Sequence, residues 1–403
     1  MNKNPLVSII IPVYNDAEFL RECLDSAVNQ TLKDIEIICV NDASTDNSLE
    51  IMNEYAAKDK RVRVINRSEN GSALMARKDG IMAARGDFTM FLDGDDYLVP
   101  NACETAYNLI LKNDVDILRF SYIRHNYGED GSISNIQVVN PDSEGSNVLH
   151  GREMIQNFCL VGKNIDSYLW NKIFKTNLLK IAHSQMDDFY CFYYNDLYEY
   201  YYILYYTKKM VEIPTDPLYT YCFGRGGCGH ITISLEEFKK FCQMKQNINR
   251  IQKFLERENA LDEQEKYLSA WEKHLRKSLC WDWLSRINTK DIEKGVKILY
   301  LYWNEKNDIQ EIIFHLLTML RNHINRVANL EKTNKNLLIQ LNDENKNARI
   351  KELQDWSEEQ LKAKEWFLSQ IKYKDERIAE LEKVSGFCYK ILTKIFRILR
   401  GKN

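Results

Sequence analysis

The sequence predicts an α/β fold: a mostly parallel sheet, then a helical region, then a long charged C-terminal helix with an amphipathic tail. Three observations predict it. Short, continuously apolar runs alternate with helical patterns as far as Leu92. Each run ends in polar or acidic residues. Beyond Leu235 strand signals stop, and between Asn325 and Gly386 the chain contains neither glycine nor proline.

Val7 to Ile11 reads as a buried strand, and Asp16 suits the cap of a helix in which Leu20, Cys23, Leu24, Ala27 and Val28 share one face. Ile35 to Val40 and Val62 to Ile65 are the next strands. The helix Ser72 to Ala84 is ended by Gly86, and Phe88 to Leu92 is the fourth strand. Strands apolar throughout are buried on both faces, as in parallel sheets covered by helices. Right-handed crossovers then gather the strand C-termini on one edge, where such sheets bind ligands. Asp42 and the cluster Asp93-Gly94-Asp95-Asp96 both fall at that edge. Packed carboxylates there call for a cation or ligand, and hard oxygens suit Mn²⁺ or Mg²⁺ shared with a diphosphate. The same cluster is also good turn chemistry.

Residues from about Asp114 to Ile233 mix short strands, loops and aromatic runs, and are expected to complete the sheet and build the acceptor side. Residues 1–233 read as one domain, 234–325 as amphipathic helices carrying Trp271, Trp281, Trp283 and Trp303. In 326–384, Val327, Leu330, Asn334, Leu337 and Leu341 approximate a coiled-coil seam with Asn334 as a polar register residue, which predicts a homo-oligomer. A long solvated helix has the same composition. In 385–403, Phe387, Ile391, Leu392, Ile395, Ile398 and Leu399 oppose Lys390, Lys394, Arg397 and Arg400, a pattern suited to an anionic membrane surface or to a partner chain.

The formal net charge of −3 gives nucleic acid no electrostatic footprint. The ten cysteines are scattered without metal spacing and read as reduced and buried, which fits a cytoplasmic protein. The start Met1 to Pro5 shows no secretory pattern, and no apolar run reaches the roughly 18–20 residues that span a bilayer. The expected location is the cytoplasmic face of the cell membrane.

Taken together, Val7-Ser8-Ile9-Ile10-Ile11-Pro12-Val13-Tyr14-Asn15, Val40-Asn41-Asp42-Ala43-Ser44-Thr45-Asp46, Asn70-Gly71, Ala76-Arg77, Ala84-Arg85-Gly86-Asp87 and Phe91-Leu92-Asp93-Gly94-Asp95-Asp96 resemble the family 2 glycosyltransferases of the GT-A fold. Trp170-Asn171-Lys172 and Asn195-Asp196 match later landmarks. The resemblance implies an inverting, metal-dependent transferase that uses a nucleotide-sugar donor, usually a UDP-sugar. It implies that Pro12, Val13 and Tyr14 line the nucleobase pocket, that Asp42 accepts a hydrogen bond from the base, and that Asn70 and Arg77 help hold the nucleotide. Asp93 and Gly94 would meet the ribose side, and Asp95 the metal. The acceptor implied is a cell-surface glycan or lipid-linked saccharide.

Each residue also has a plainer role open to it. Pro12 can merely end a strand, Tyr14 can be core, Asn15 and Asp46 can be caps, and Arg77 can be surface. The family places its base in a Glu-Asp pair, which here reads Asn195-Asp196, so Asp196 is the expected general base, with Asp187 and Asp188 as rivals. Trp170 could form an acceptor platform or lie in the core. Arg225 and His230 flank a glycine-rich stretch that suits either a lid over the diphosphate or a plain linker. The competing functional reading is a non-catalytic scaffold with a degenerate transferase domain. A nucleotidyltransferase on a similar sheet would consume nucleoside triphosphates, and the chain shows no matching glycine-rich Arg/Lys loop.

Overall fold

The computed structural model describes residues 4–128, 130–141, 147–159, 166–191, 194–225, 233–286 and 292–303. The coiled-coil segment 326–384, the tail 385–403 and His230 lie outside the described residues. Met1–Asn304 forms one compact unit.

The chain begins β1 (Val7–Val13), α1 (Leu20–Val28), β2 (Ile35–Asn41), α2 (Ser48–Lys58), β3 (Val62–Asn66), α3 (Ser72–Ala83), β4 (Phe88–Phe91). It continues β5 (Tyr97–Leu98), α4 (Ala102–Asn113), β6 (Ile117–Arg119), β7 (Tyr122–Tyr127), β8 (Ile133–Val139), β9 (Asn147–His150), α5 (Arg152–Cys159), β10 (Lys172–Lys175), α6 (Thr176–Ser184), α7 (Asn195–Tyr206), β11 (Lys209–Glu212) and β12 (Tyr219–Phe223). Helices α8 (Leu235–Cys242), α9 (Met244–Arg257), α10 (Leu261–Arg286) and α11 (Ile292–Tyr302) follow.

The main sheet has the order β3-β2-β1-β4-β10-β6-β11-β9, and a smaller one the order β5-β12-β7-β8. β1, β2, β3 and β4 pair in parallel, whereas β10 runs antiparallel between β4 and β6. This is an α/β architecture with a mostly parallel sheet.

Every residue of β1 and β2 is buried, because alternate side chains meet different helices. Ile9, Ile11, Ile37 and Cys39 share a core with Leu20, Cys23, Leu24 and Ala27 of α1. Ile10 and Val40 face α3 instead, so closely that a Cβ on Gly80 would lie 2.5 Å from Cγ2 of Ile10. Pro12 sits inside β1 without breaking the ladder. The Ile10 carbonyl accepts from Leu92 N and the Val13 carbonyl from Asp42 N, so the alternation turns Pro12 toward β4. The β4 pairing ends with Ile10 opposite Phe91, so the proline stands just past the ladder on that side.

The tyrosine-rich segment forms α7, buried on both sides. Tyr202 meets Phe254 of α9 at 4.4 Å, and Tyr201 stacks on Trp271 of α10 at 6.0 Å. α8 starts with a capping box: Ser234 Oγ accepts from Glu237 N, and Glu237 Oε2 from Ser234 N. Among the described residues no helix is long and apolar enough to cross a membrane. Cys23, Cys39, Cys103, Cys159 and Cys222 are buried thiols outside any disulfide, and Cys191 and Cys242 are buried as well.

Candidate active site

The parallel strands bring three loops to one edge. Asn15 after β1, Ala43 after β2 and Ser72 at the start of α3 have φ of 59°, 58° and 75°. Left-handed backbone on non-glycine residues costs of order 1–3 kcal/mol each and clusters at functional sites. Side chains hold it in place: Asn15 Oδ1 accepts from Thr45 N at 2.7 Å, and Asn15 N donates to Ser44 Oγ at 3.1 Å. Asn15 therefore laces the first two loops together, and caps no helix. Nor does Asp16, since α1 has no side-chain cap.

Asp42 is buried beneath these loops. Its Oδ1 accepts from Gly71 N at 2.8 Å and faces Arg67 Nε at 2.9 Å. Burial still raises its pKa, with the Gly71 amide and Arg67 opposing. Tyr14 is 45% and Tyr190 50% exposed. Burial raises the Tyr190 hydroxyl, and the neighbouring Tyr14 and Asp42 add to that. Two outward-facing rings thus stand beside a buried carboxylate. Asn70 Oδ1 accepts from Ser72 N at 3.2 Å, tightening the same turn.

The acidic cluster divides into distinct roles. Asp96 is structural: its two oxygens accept from Tyr219 Oη at 2.7 Å and Cys222 N at 2.6 Å, tying the turn to β12. Asp95 stays half-buried, and burial followed by the charges of Asp93 and Asp16 pushes it up to about 7. Burial raises Asp16 to about 7 as well, with Asp93 and Asp46 adding to it and the Tyr14 amide opposing. Gly94 lets Asp16 reach the turn, since a Cβ there would lie 2.6 Å from Asp16 Oδ2. Among the described residues no three ligand groups form a closed metal cage. Mutually repelling carboxylates at Asp93, Asp95 and Asp16 instead fit a divalent ion that takes one or two protein oxygens and completes its shell with water and phosphate.

Asp196 opens α7 on the other side of Asp93. Its Oδ2 accepts from Ser167 Oγ at 3.1 Å and its Oδ1 from Leu197 N at 2.9 Å. Burial raises it, while Arg77 and then those two hydrogen bonds pull the other way. Arg77 is buried, not at the surface. Its Nε and Nη2 both reach Glu199 Oε2 at 2.7 Å, and Nη2 also reaches Asn195 Oδ1 at 2.5 Å. Glu199 Oε1 lies 2.8 Å from Nε2 of His183, whose Nδ1 lies 2.8 Å from the Leu179 carbonyl. Burial alone would raise Glu199; Arg77 and then His183 hold it below the usual range.

Residues 8–179 match the family described as glycosyl transferase family 2. The chain carries a family 2 glycosyl transferase domain. EpsJ of Bacillus subtilis (strain 168), an uncharacterized glycosyltransferase, is 37% identical over 185 residues, 46% of this chain and 52% of its own. The poly(ribitol-phosphate) beta-glucosyltransferase of Bacillus spizizenii (strain ATCC 23059 / NRRL B-14472 / W23) is 47% identical over 114 residues, 28% of this chain and 18% of its own. The chain thus spans about half or less of the length of these relatives. Residues 1–349 of S. aureus TarS superpose with a TM-score of 0.49 and 16% identity, covering 78% of this chain and 91% of that one, a likeness too loose to bear on side-chain roles.

Within the transferase domain, Pro12 and Val13 are buried at the end of β1 beneath Tyr14. Arg225 reaches the acidic side, where its charge acts on Asp95, but Nη1 is paired with Glu22 at 2.7 Å and the guanidinium stands 4.2 Å over Tyr127. Asp187 and Asp188, the rival bases, are ion-paired to Arg250 and Lys78. Trp170 is buried, and Tyr168 stacks on its outer side. Asn171 and Lys172 hold Asp166: Lys172 Nζ is 2.6 Å from Asp166 Oδ1, and Asn171 Nδ2 donates to Oδ2 at 2.9 Å. Burial lowers the Lys172 pKa to about 8, against the pull of Asp166. Sequence reasoning missed Asp16, Ser167, Tyr190 and Glu199 as site residues. Only Glu199 had a legible signal: it lies four residues after Asn195 and so shares its helical face.

Proposed function

We propose that the chain transfers a sugar from a nucleoside diphosphate sugar, UDP by family resemblance, to a hydroxyl of a glycan or lipid-linked saccharide, with inversion. The observation that carries this reading is that Asp196 lies within reach of the charges of Arg77 and Asp93, both more than a hundred positions earlier in the sequence. Tyr14 and Tyr190 enclose the base, Pro12 and Val13 form its floor, and Asp42 reads a ring N–H. Asn70 shapes the turn beneath the nucleotide, and Asp93 with Gly94 meets the ribose. Asp95 would hold Mn²⁺ or Mg²⁺, which would offset the negative charge of the diphosphate. Arg225 supplies positive charge on the diphosphate side, a role the sequence also offers to His230.

Asp196 takes the proton of the acceptor hydroxyl as the oxygen bonds to the anomeric carbon. The bond from that carbon to the diphosphate oxygen breaks on the opposite face, and the electron pair leaves with the nucleoside diphosphate. The test is Asp196→Asn in the full chain. Nucleotide affinity should stay within about twofold while transfer falls by about 10²–10⁴. Wild-type turnover in that variant would end the assignment.

The basic amphipathic segment 387–400 is proposed to hold the enzyme at an anionic membrane surface, with 326–384 forming a homo-oligomer. Deleting 387–403 should abolish sedimentation with anionic vesicles, and deleting 326–403 should leave a monomer. An unchanged outcome in either experiment rejects that part.

A further inference from the structure

The surface next to Asp196 is a composed aromatic and cationic face that the transfer chemistry above does not use. Tyr219, Tyr221 and Phe223 alternate onto one face of β12, and the parallel register sets Arg124 of β7 beside Tyr221. Trp170 stacks on Tyr219 at 4.6 Å and on Tyr221 at 5.1 Å. Tyr168 stacks on Trp170 at 4.8 Å, at 19° to it, yet keeps 37% of its surface exposed. The Arg124 guanidinium stands 3.9 Å from the Phe223 ring centre and 6.0 Å from that of Tyr221, with Nε donating to Asn126 Oδ1 at 2.9 Å.

This face is fixed to the base. Tyr168 directly follows Ser167, which donates to Asp196. Asp166, just before, is clamped by Arg119 at 2.7 Å and Lys172 at 2.6 Å. The segment 166–170 thus ties the exposed Tyr168 ring to the carboxylate that would accept the proton.

We infer that Tyr168, Tyr221 and Arg124 form an acceptor subsite for an acidic saccharide, one sugar ring lying on Tyr168 and its carboxylate or phosphate on Arg124. The apolar C–H face of a pyranose fits an aromatic ring, and a guanidinium pairs with a planar or tetrahedral oxyanion through two parallel hydrogen bonds. The cation rests on the Phe223 ring, so it is held in place before the ligand arrives. This inference rests on the reading of Asp196 as the base of a sugar transfer.

The experiment titrates the full chain, without donor, with three probes: a glucuronic-acid-containing disaccharide, glucose 6-phosphate and cellobiose, by calorimetry or ligand-observed NMR. The wild type should bind at least one acidic probe more tightly than cellobiose, and the uronate and phosphate arms tell which oxyanion is preferred. Arg124→Gln should weaken the preferred acidic probe about tenfold and leave cellobiose unchanged. Tyr168→Ala should weaken all that bind. Thermal midpoints of the variants check that each is folded. A wild type that binds no probe, or an Arg124→Gln variant with undiminished acidic affinity, overturns the subsite. Failure of the sugar-transfer reading itself would appear elsewhere, as absence of nucleotide-sugar turnover by the wild type.

Discussion

Asn195 and Glu199 lie one turn apart on α7, and the single guanidinium of Arg77 binds both. The acid that the family pattern would place at 195 is an amide here, but a carboxylate on the same helical face, four residues on, meets the same cation. A buried positive charge needs a compensating negative one within contact. Asn195 leaves that need to Glu199, with His183 supporting it from behind. The buried cation thus keeps a carboxylate partner although position 195 is an amide.

A charge relay from Glu199 through Arg77 bears on Asp196, with burial the larger influence. Glu199→Gln leaves Arg77 less neutralised, so Asp196 is held more strongly as carboxylate and the acidic limb of the kcat–pH profile moves to lower pH. Arg77→Leu removes the cation and moves the limb to higher pH, since burial already raises Asp196. The same variant strands Glu199 in the interior and costs about 3–5 kcal/mol of stability. Glu199 has a depressed folded pKa, so its stabilisation is present above its unfolded pKa and fades as pH falls through the folded one. Denaturant melts at several pH values, beside the rate profiles, check both. Limbs that coincide in all three proteins reject the relay.

Ser167 gives a milder test of the same carboxylate. Its hydroxyl donates to Asp196 Oδ2 and favours the ionised form. Ser167→Ala should raise the Asp196 pKa, so that the rate falls below the acidic limb and returns toward the wild-type plateau at higher pH. A loss equal at every pH would mean that Ser167 acts on geometry and not on ionisation.

How much of this was legible depended on whether a signal was local. β1, β2 and β4 could be read because short, continuously apolar runs bounded by polar residues have few other uses, and Asp42 and Asp93 stand at the strand ends. Arg77 looked equally like a surface or a nucleotide residue, because its partners Asn195 and Glu199 are more than a hundred positions away and no helical period reports them. Trp170 was ambiguous for a related reason: an aromatic ring signals stacking, but only the fold decides that Trp170 is the buried layer and Tyr168 the exposed one. Asp16 was misread as a cap because a helix-start carboxylate has the same sequence signature whether it binds the helix or, as here, turns back to the Tyr14 amide.

Asp95 tests the cation. Asp93 and Asp95 repel each other in the folded chain, and a divalent ion relieves that repulsion while adding a ligand for diphosphate. For the wild type, nucleoside diphosphate affinity should rise at least about tenfold on adding Mn²⁺ and fall back with a chelator. Asp95→Ala should bind the nucleotide equally weakly with and without the metal. Isothermal titration in both conditions decides it, and a metal response retained by Asp95→Ala would move the ligand role to Asp93 or Asp16.

Two glycines separate the fold from the site. A Cβ at Gly86 would lie 2.7 Å from the backbone nitrogen of Ser8, and β1 cannot retreat because all its residues are packed. Gly86→Ala should therefore destabilise the whole domain, by about 2 kcal/mol or more. At Gly94 the clash is with the end of the Asp16 side chain, 2.6 Å away, and a side chain can rotate aside. Gly94→Ala should keep most of the stability yet displace Asp16 from the acidic turn, weakening metal-dependent nucleotide binding. Thermal melts paired with nucleotide titrations should place the two variants in opposite corners. Equal stability losses would show that the Asp16 contact is part of the core packing instead of the site.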